Sequence, residues 1–395
     1  MTKKILITDT APLYPPLWGG PKRIWNLYSS FSRDLFDITY VGVKANLEDG
    51  LKYSFNKIRD NFKEISCAFP PHYYPWHLIE RKLFTDTSLD LFTYLGMRTD
   101  WHFKYALNSR NADVIICSHP WPSPCINKND ARLFIYDAHN CEYLLMDRIL
   151  GKHILKNFIL RQVKKIEKDA CDKSDLILVC SEKEKRDFMD LYSVEENKII
   201  IIPNGANIRE RIDKTQGEDK AIVFVGAYYK PNIDAARFIV KELAPRLREF
   251  KFLIAGTVFD AFKSMQLPAN LKFLGKIPEG ELNTALRSCD IAINPMFVGS
   301  GINIKMLDYM SYGLPIVTTQ VGARGIETNG RQPMIVSIPD NFIHNIKMLS
   351  NDAVLYKRMS NDGMSLLAEH YDWKKISAKL EGIILEKLEL KSRKS

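Results

Sequence analysis

Short apolar runs alternate with longer amphipathic stretches along the whole chain, and this alternation limits the folds it can adopt. The runs are rich in Ile, Val, Leu and Phe, which is typical of short strands buried on both faces. Helical stretches lie between them, so the sequence predicts parallel, doubly wound α/β sheets. The predicted strands are Lys4–Asp9, Ile38–Val43, Asp113–Cys117, Leu133–Asp137, Leu176–Cys180, Lys198–Ile202, Ala221–Val225, Phe252–Ala255, Leu271–Leu274, Ile291–Asn294, Pro315–Thr318 and Met334–Val336, and the clearest helices are Asp234–Phe250, Glu279–Ser288 and Lys305–Tyr312.

The series of strands starts again in the middle of the chain. The sixth run ends at the turn pair Asn204-Gly205, and the polar stretch Arg209–Asp219 precedes a new strand at Ala221. A chain of 395 residues is also too long for one ordinary core. We therefore predict two Rossmann-like domains, residues 1–203 and 204–372.

Two such sheets in tandem predict strand carboxyl ends that face one central cleft, the usual ligand position in this architecture. The last segment, residues 373–390, has apolar residues near helical spacing. We expect it to form a helix that packs back on the first domain.

Composition sets limits on partners and location. The net charge of +9 is spread over both halves, which favours a mildly cationic enzyme with anionic substrates over a nucleic-acid partner. The seven cysteines form no Cys-x-x-Cys pair and are typical of reduced thiols. No apolar run is long enough for a signal peptide or a membrane span, so we expect a cytoplasmic protein, with the inner face of the cytoplasmic membrane as a further option.

The most informative stretch follows the tenth predicted strand. Gly299-Ser300-Gly301 precedes a helix that opens near Ile304, and such glycines let backbone amides approach an anion at a helix N-terminus. Lys305 adds a full charge for a diphosphate, and Asp308 could accept hydrogen bonds from ribose hydroxyls. The alternative is an ordinary loop followed by a helix that simply ends at Gly313.

This stretch resembles the donor-binding signature of GT-B glycosyltransferases of the glycosyltransferase family 4 type, also called glycosyl transferases group 1. The shared pattern is a Gly-x-Gly loop, an acidic residue on the next helix and then Gly-x-Pro-Ile-Val, here Gly313–Val317. The resemblance covers essentially the whole chain. Its other landmarks are Gly19-Gly20, Asp137–Asn140, Ile202–Gly205 and Phe224–Gly226.

The chain departs from the family pattern at three positions. The family frequently has Glu at two positions eight apart, which here hold Ser300 and Asp308, and a basic residue where this chain has Ala227. The first Glu commonly interacts with the donor sugar. We infer that Lys305, helped by Lys230, takes over the neutralisation of the leaving diphosphate.

The resemblance implies contacts to a nucleotide-sugar donor from several loops. The base would lie near the Gly275-Lys276-Ile277 loop, and the glycine loop after the first strand would approach the diphosphate, with charge from Arg23. The predicted donor-binding residues are Gly19, Gly20, Gly226, Lys230, Lys276, Ile277, Gly299, Ser300, Gly301, Ile302, Asn303, Ile304, Lys305 and Asp308.

Two histidines are the candidates for chemistry in the first domain. His119 and His139 each follow a predicted strand, and the resembling enzymes often place a histidine where His119 lies. A histidine there can act as a base, orient the acceptor or bind a sugar hydroxyl. Alternatively, His119 caps a strand before Pro120 and His139 binds loop backbone, while Asp137 anchors a loop.

Two segments combine aromatic or apolar residues with basic ones. These are Phe69–Trp76 with the following Arg81-Lys82, and Gly151–Lys168. Such surfaces suit a lipid-linked acceptor at an anionic membrane. A solvated helix is the alternative for the second segment.

Together these features predict a glycosyltransferase, in the EC 2.4 class, that moves a sugar to a hydroxyl of a glycan or lipid-linked acceptor in surface polysaccharide or glycoconjugate assembly. The resemblance implies a retaining reaction, and because the chain has no Asp-x-Asp we expect no metal and no cofactor beyond the donor. A nucleotide-sugar 2-epimerase of the same fold and a non-catalytic nucleotide-sugar-binding protein are the alternatives. A nicotinamide dehydrogenase is disfavoured because no Gly-x-Gly-x-x-Gly follows a strand.

Overall fold

A computed structural model describes residues 2–16, 19–44, 53–68, 97–98, 100–108, 111–209, 220–298 and 303–393. The chain divides into two compact units. Unit 1 comprises Met1–Pro203 and Lys374–Ser395, and unit 2 comprises Asn204–Trp373. No helix within the described residues is both long and apolar enough to span a bilayer.

In its described part, unit 1 is built on an eight-stranded sheet with the order β3-β4-β2-β1-β5-β6-β7-β8. All neighbouring strands are parallel except β3 and β4. The central strands are almost entirely buried, as their apolar sequences require. The strands are β1 Lys3–Thr8, β2 Phe36–Lys44, β3 Ser54–Arg59, β4 Phe62–Ala68, β5 Val114–Ser118, β6 Leu133–Asp137, β7 Leu176–Val179 and β8 Ile199–Ile201.

The antiparallel hairpin of β3 and β4 was not predicted. No side chain of β3 is buried and most are polar, so the strand carries no apolar run. It forms the edge of the sheet, where such a strand needs only one partner.

Within the described residues, the named α-helices of unit 1 are α1 Gly19–Tyr28, α2 Trp101–Asn108, α3 Glu142–Leu150, α4 Lys156–Lys173, α5 Glu182–Tyr192 and α11 Trp373–Ser392. Beyond Trp373, α11 belongs to unit 1. Ser377 Oγ donates to the carbonyl of Leu27 at 2.6 Å, and Glu381 accepts from the amide of Ser32 at 3.0 Å. These contacts hold α11 against the end of α1.

The described part of unit 2 has a six-stranded, fully parallel sheet with the order β11-β10-β9-β12-β13-β14. Its two faces carry separate apolar clusters, one centred on Ile222, Phe252 and Ile293 and the other on Val223, Ala292 and Leu307. The strands are β9 Ala221–Val225, β10 Lys251–Ala255, β11 Leu271–Gly275, β12 Ile291–Asn294, β13 Ile316–Thr318 and β14 Met334–Val336. Two mostly parallel sheets with helices between the strands confirm the predicted doubly wound α/β class.

The helices of unit 2 are α6 Lys230–Phe238, α7 Glu279–Ser288, α8 Ile304–Ser311, α9 Phe342–Asn351 and α10 Ala353–Leu366. The predicted helix Asp234–Phe250 differs from the structure. The α-helix begins four residues earlier, passes into a π-turn over Ile239–Leu243 and ends in a 3-10 turn at Pro245. A proline has no amide hydrogen to continue the helical ladder, and the helix breaks there.

Candidate functional site

In unit 2 the order in which the strands are added to the sheet reverses between the neighbouring strands β9 and β12. From β9 the chain continues outward through β10 and β11, and it then returns to the other side of β9 at β12. Open α/β sheets bind ligands at the carboxyl ends of the strands at such a switch point. Here the loop after β9 leads into α6, and the loop after β12 leads into α8.

One side-chain pair joins these two helices. The ammonium of Lys305, on α8, donates to Asn232 Oδ1 of α6 at 2.8 Å and lies 4.4 Å from the centre of the Phe224 ring. Asn232 is itself buried and donates through Nδ2 to the carbonyl of Ala227 at 3.1 Å. Asn232 therefore fixes both the loop after β9 and the position of Lys305.

The charge of Lys305 is not balanced by its surroundings. Among the described residues no carboxylate forms an ion pair with this ammonium; its partners are a neutral amide and an aromatic ring. Burial lowers the pKa of Lys305 to about 7, because desolvation disfavours the charged form. A partly buried cation without a counter-charge favours the approach of an anion.

The other predicted residues of unit 2 that the structure describes lie around the same edge of the sheet. Asn303 precedes α8 and donates to the carbonyl of Gly322 at 3.1 Å, while half-buried Asp308 follows Lys305 by one turn. Next to Asp308, Tyr309 ties α8 to β9 by accepting from the amide of Val225 at 2.8 Å. Gly299, Ser300, Gly301 and Ile302 lie outside the described residues.

After β9 and β10, the backbones of Gly226 and Gly256 approach each other closely. A Cβ atom on Gly256 would lie 2.2 Å from the carbonyl oxygen of Gly226, and Gly256 has φ of +103°. No other residue type fits this position without a shift of the backbone. The predicted base-binding residues, exposed Lys276 and half-buried Ile277, follow the end of β11, whose Gly275 carbonyl accepts from the Gly256 amide.

Lys230 differs from Lys305 in its surroundings. Its ammonium is exposed at the start of α6 and binds Asp234 of the same helix at 2.6 Å. The charge of Lys230 thus has a local counter-charge, and its proposed contact with a diphosphate stays a prediction.

Unit 1 has a corresponding switch point between β1 and β5. Asp9 follows β1 and His119 follows β5, and the two side chains meet, with 2.9 Å between His119 Nδ1 and Asp9 Oδ1. Asp9 is buried, whereas one fifth of the His119 side chain is exposed. Asp9 was not among the predicted site residues.

The second histidine lies against the first. The ring centres of His119 and His139 are 4.2 Å apart, and a Cβ atom on Gly20 would lie 3.6 Å from both rings. Burial and the neighbouring His119 lower the pKa of His139 to about 4, so this imidazole is neutral at pH 7. Its buried Nε2 has no hydrogen-bond partner among the described residues and is 3.6 Å from Asp137 Oδ2.

The prediction that Arg23 supplies charge to a diphosphate is not supported. Arg23 is fully buried and binds Asp137 at 2.8 Å through Nη2 and the carbonyl of Ile202 at 3.0 Å through Nη1. Burial disfavours the charged form of both groups. The attraction between the two opposite charges, together with their hydrogen bonds and the neighbouring groups, is larger than this cost for each of them. The pKa of Arg23 is raised and that of Asp137 lies well below its ordinary value. Asp137 also accepts from Tyr28, so it anchors α1.

Sequence reasoning missed Asp9 and Asn232 as partners of the site residues. Each stands near the carboxyl end of a strand at a switch point, Asp9 directly after β1 and Asn232 within the first turn of α6. Strand order could have singled out both positions, but not the side chains that they meet, which lie 110 and 73 residues away.

Comparison with known proteins agrees with this architecture. Residues 70–210 match the model of Glycosyltransferase Family 4, and residues 219–352 match the model of Glycosyl transferases group 1. The chain is 23% identical over 94% of its length to an uncharacterized 44.6 kDa protein in the cps region of Klebsiella pneumoniae, of which 97% is covered. It is 24% identical over 45% of its length to the phosphatidyl-myo-inositol mannosyltransferase of Mycobacterium tuberculosis, of which the match covers 52%.

The same fold occurs in solved structures. Alr3699/HepE from Anabaena, solved in complex with UDP and glucose, superimposes with a TM-score of 0.67 at 11% identity, with 97% of this chain and 100% of that chain covered. The two adjacent family matches, the relatives and the two doubly wound sheets lead to one assignment: the chain is a transferase enzyme that belongs to the GT-B glycosyltransferases of the family 4 type.

Proposed function

We propose that the enzyme takes its sugar from a nucleotide-diphosphate donor whose diphosphate binds at Lys305. The observation that carries the proposal is the uncompensated Lys305 ammonium at the β9–β12 switch point, held at 2.8 Å by Asn232. The UDP bound to the Anabaena neighbour supports a UDP-sugar as the first donor to test.

Lys305 would stabilise the charge that develops on the leaving diphosphate. A positive group fixed where negative charge appears is the largest single contribution in many enzymes. Asp308, one turn further along α8, would accept from the ribose hydroxyls. Lys276 and Ile277 would border the base, and the glycine loop before Asn303 would contribute its amides.

Unit 1 would supply the groups that bind sugar hydroxyls. His119 and His139 lie together beside Gly20 at the start of α1. His139 is neutral at pH 7 and offers hydrogen bonds without a competing charge. We propose that the reaction retains the anomeric configuration, as expected from the family, and that Lys305 takes the place of a bridging metal.

The acceptor that we propose is a hydroxyl of a glycan or of a lipid-linked glycan in surface polysaccharide or glycoconjugate assembly. The relative from the Klebsiella cps region supports this context. The 2-epimerase alternative predicts an epimer when the donor is incubated alone, whereas a transferase needs the acceptor.

A panel of UDP-, GDP-, ADP- and CMP-sugars tests the donor by thermal shift. At a donor concentration about 100 times Kd, binding contributes about 2.7 kcal/mol, which corresponds to roughly 5–10 °C for a unit of this size. We expect one nucleotide to stabilise the wild type and not Lys305→Met. Lys272→Met, on an exposed cation of β11, is the matched control and should respond as the wild type. A shift that persists in Lys305→Met would exclude the assigned site.

A lipid-linked acceptor also requires contact with a membrane, and the second basic segment offers a surface for it. The turn before α4 exposes Ile154 at 93%, Phe158 on α4 is 61% exposed, and Leu155 is exposed between them. Exposed cations surround them, at Lys152, Arg161 and Lys165. Glu167, which dilutes the positive charge in the sequence, is buried and accepts from Tyr136 and Tyr192. The aromatic segment Phe69–Trp76, with Arg81 and Lys82, lies outside the described residues.

Vesicle flotation tests this contact. We expect binding to phosphatidylserine vesicles and much weaker binding to phosphatidylcholine vesicles, because the patch combines apolar and cationic side chains. The double variant Ile154→Ser and Phe158→Ser should lose at least about tenfold in affinity, while Val354→Ser, at an exposed apolar position of unit 2, should not. Equal binding of all three proteins would contradict the proposal.

A further inference from the structure

The orientation of the His119 ring is fixed from several sides. Its backbone has φ of +62°, a left-handed conformation that a non-glycine residue adopts only at a cost of roughly 1–3 kcal/mol. The His119 amide donates to the carbonyl of Asp137 at 3.3 Å, and its ring lies against His139. A strained residue held by three neighbouring strands is a sign of function at that residue.

The partner of the ring is a carboxylate that is itself fixed. Asp9 Oδ1, the oxygen that meets His119, also accepts from the amide of Thr10 at 2.7 Å, and the side chain is 3% exposed. An ionised carboxylate only accepts hydrogen bonds, so His119 must donate from Nδ1. In the neutral imidazole the proton then resides on Nδ1, and Nε2 carries the lone pair.

We propose that Asp9 is a positioning residue of the transfer reaction: it holds the neutral form of the His119 imidazole in the Nδ1–H tautomer, so that Nε2 accepts a hydrogen bond from a substrate hydroxyl. The inference rests on the proposed function, in which His119 binds sugar hydroxyls. Asp9 is buried and acts on the substrate only through the ring that it orients.

His139 does not perform the same task. Its Nε2 is buried and directed toward Asp137, which is already engaged by Arg23 and Tyr28. Its ring packs against His119, and a hydrogen bond from His139 to a sugar hydroxyl would have to involve Nδ1, the ring nitrogen on the side of Gly20. The site thus contains two imidazoles, of which the one bonded to Asp9 is partly exposed.

The tautomer can be measured without turnover. We would label the wild type with ¹⁵N-histidine, assign the His119 signals with the variant His119→Gln, and record long-range ¹H–¹⁵N spectra at pH 8, where an ordinary imidazole is neutral. We expect a protonated Nδ1 and an unprotonated Nε2. A protonated Nε2 in the wild type would overturn the proposal, whether or not any variant folds.

Substitutions of Asp9 test whether the tautomer of His119 affects the rate of the reaction. Asp9→Leu removes the acceptor and should shift the proton to Nε2 and lower kcat by about 10- to 100-fold, the size of effect known for losing the partner that orients a metal-bound histidine. Asp9→Asn keeps an acceptor oxygen on the Thr10 amide but loses the charge, so its kcat should lie between those of the wild type and Asp9→Leu. Asp34→Leu, at an exposed carboxylate before β2, is the control.

Donor binding separates this inference from the proposed function. The donor-induced thermal shift and KM for the donor should change by less than about threefold in Asp9→Leu, because the diphosphate site is in unit 2. If no nucleotide sugar binds the wild type, the proposed function fails and the tautomer measurement still decides the role of Asp9. If the donor binds normally and Asp9→Leu retains wild-type kcat, only the role of Asp9 is refuted.

Discussion

Each unit of this enzyme has a cation withdrawn from water near the carboxyl edge of its sheet, fully in the case of Arg23 and partly in the case of Lys305, and the two have opposite surroundings. Arg23 of unit 1 pairs with Asp137 at 2.8 Å, and its pKa is raised. Lys305 of unit 2 meets only the amide of Asn232 and the ring of Phe224, and burial lowers its pKa to about 7. From the sequence, both cations were expected to contact the diphosphate.

The difference separates structural from ligand-binding charge. A buried charge whose counter-charge is built into the protein is satisfied within the fold and has no capacity left for a substrate. A buried charge without one lowers the stability of the unliganded protein and recovers that free energy when an anion arrives. The partner of a cation therefore predicts its role better than its position in the chain does.

The largest expected effect is on folding and concerns Arg23→Met. The substitution leaves the Asp137 carboxylate buried and unpaired, which costs about 3–5 kcal/mol in the free energy of unfolding. Urea unfolding measures this loss. Arg186→Met, at an exposed site on α5, should change stability by less than about 0.5 kcal/mol. Equal free energies of unfolding for the two variants would contradict the structural role of Arg23.

The next effect is on catalysis and concerns Lys305→Met. Loss of the charge should lower kcat/KM by about 10²–10³-fold, or roughly 3–4 kcal/mol, because the leaving diphosphate loses its fixed cation. The unliganded fold should be at least as stable as the wild type, since an uncompensated charge is removed. Steady-state kinetics and urea unfolding together test both statements, with Lys272→Met as control. A large loss of stability would place Lys305 in the same class as Arg23.

A third variant, Asn232→Asp, gives Lys305 the kind of partner that Arg23 has. The new carboxylate should raise the pKa of Lys305 and weaken binding of UDP-glucose by about 10- to 100-fold, since it competes with the diphosphate for the ammonium. Isothermal titration calorimetry measures Kd. Asn232→Ala, which removes the amide without adding charge, shows how much of the loss is due to positioning alone. Tighter binding in Asn232→Asp would contradict the comparison.

The smallest effect is a pH dependence in the wild type. Between pH 7 and the ordinary lysine pKa of 10.5, the folded protein holds fewer protons at Lys305 than the unfolded chain does, so this residue makes stability rise with pH in that window. Donor binding has the opposite sign. The diphosphate favours the ammonium, so affinity should fall above pH 7, by at most about tenfold per pH unit.

UDP-glucose is the suitable ligand for this measurement because both phosphates of its diester are ionised throughout the range. Titrations in buffers of different ionisation enthalpy should reveal proton uptake on binding near pH 8. In Lys305→Met any residual affinity should be independent of pH from 7 to 9. A wild-type affinity that is constant over this range would show that Lys305 is charged before the donor arrives.

Much of the fold could be predicted from the sequence, because twelve of the described strands coincide with short apolar runs, and the central ones are buried on both faces. The hairpin of Ser54–Arg59 and Phe62–Ala68 could not, since an exposed edge strand leaves no apolar pattern. Its partner strand nevertheless supports the site edge. Glu64 on β4 accepts from the amides of Leu13 and Tyr14, and so fixes the loop after β1.

The site was predictable only in part. His119, His139 and Lys305 follow strands, so chain order alone brings them to the carboxyl edges. The pairs Asp9–His119 and Asn232–Lys305 depend on which strands are neighbours in each sheet, and that order is set by packing. The distinction between Arg23 and Lys305 depends on one buried carboxylate, which no local pattern reveals.

The route of the chain through the two units affects how the protein is made. Unit 1 begins with residue 1 but is completed by α11, which is synthesised after all of unit 2. Leu380, Ile384 and Leu388 of α11 are buried. On the ribosome, unit 2 can fold as soon as its own residues have emerged, whereas unit 1 keeps the apolar surface under α11 exposed until translation reaches the last helix. The first half of this enzyme to be translated is therefore the last to be finished.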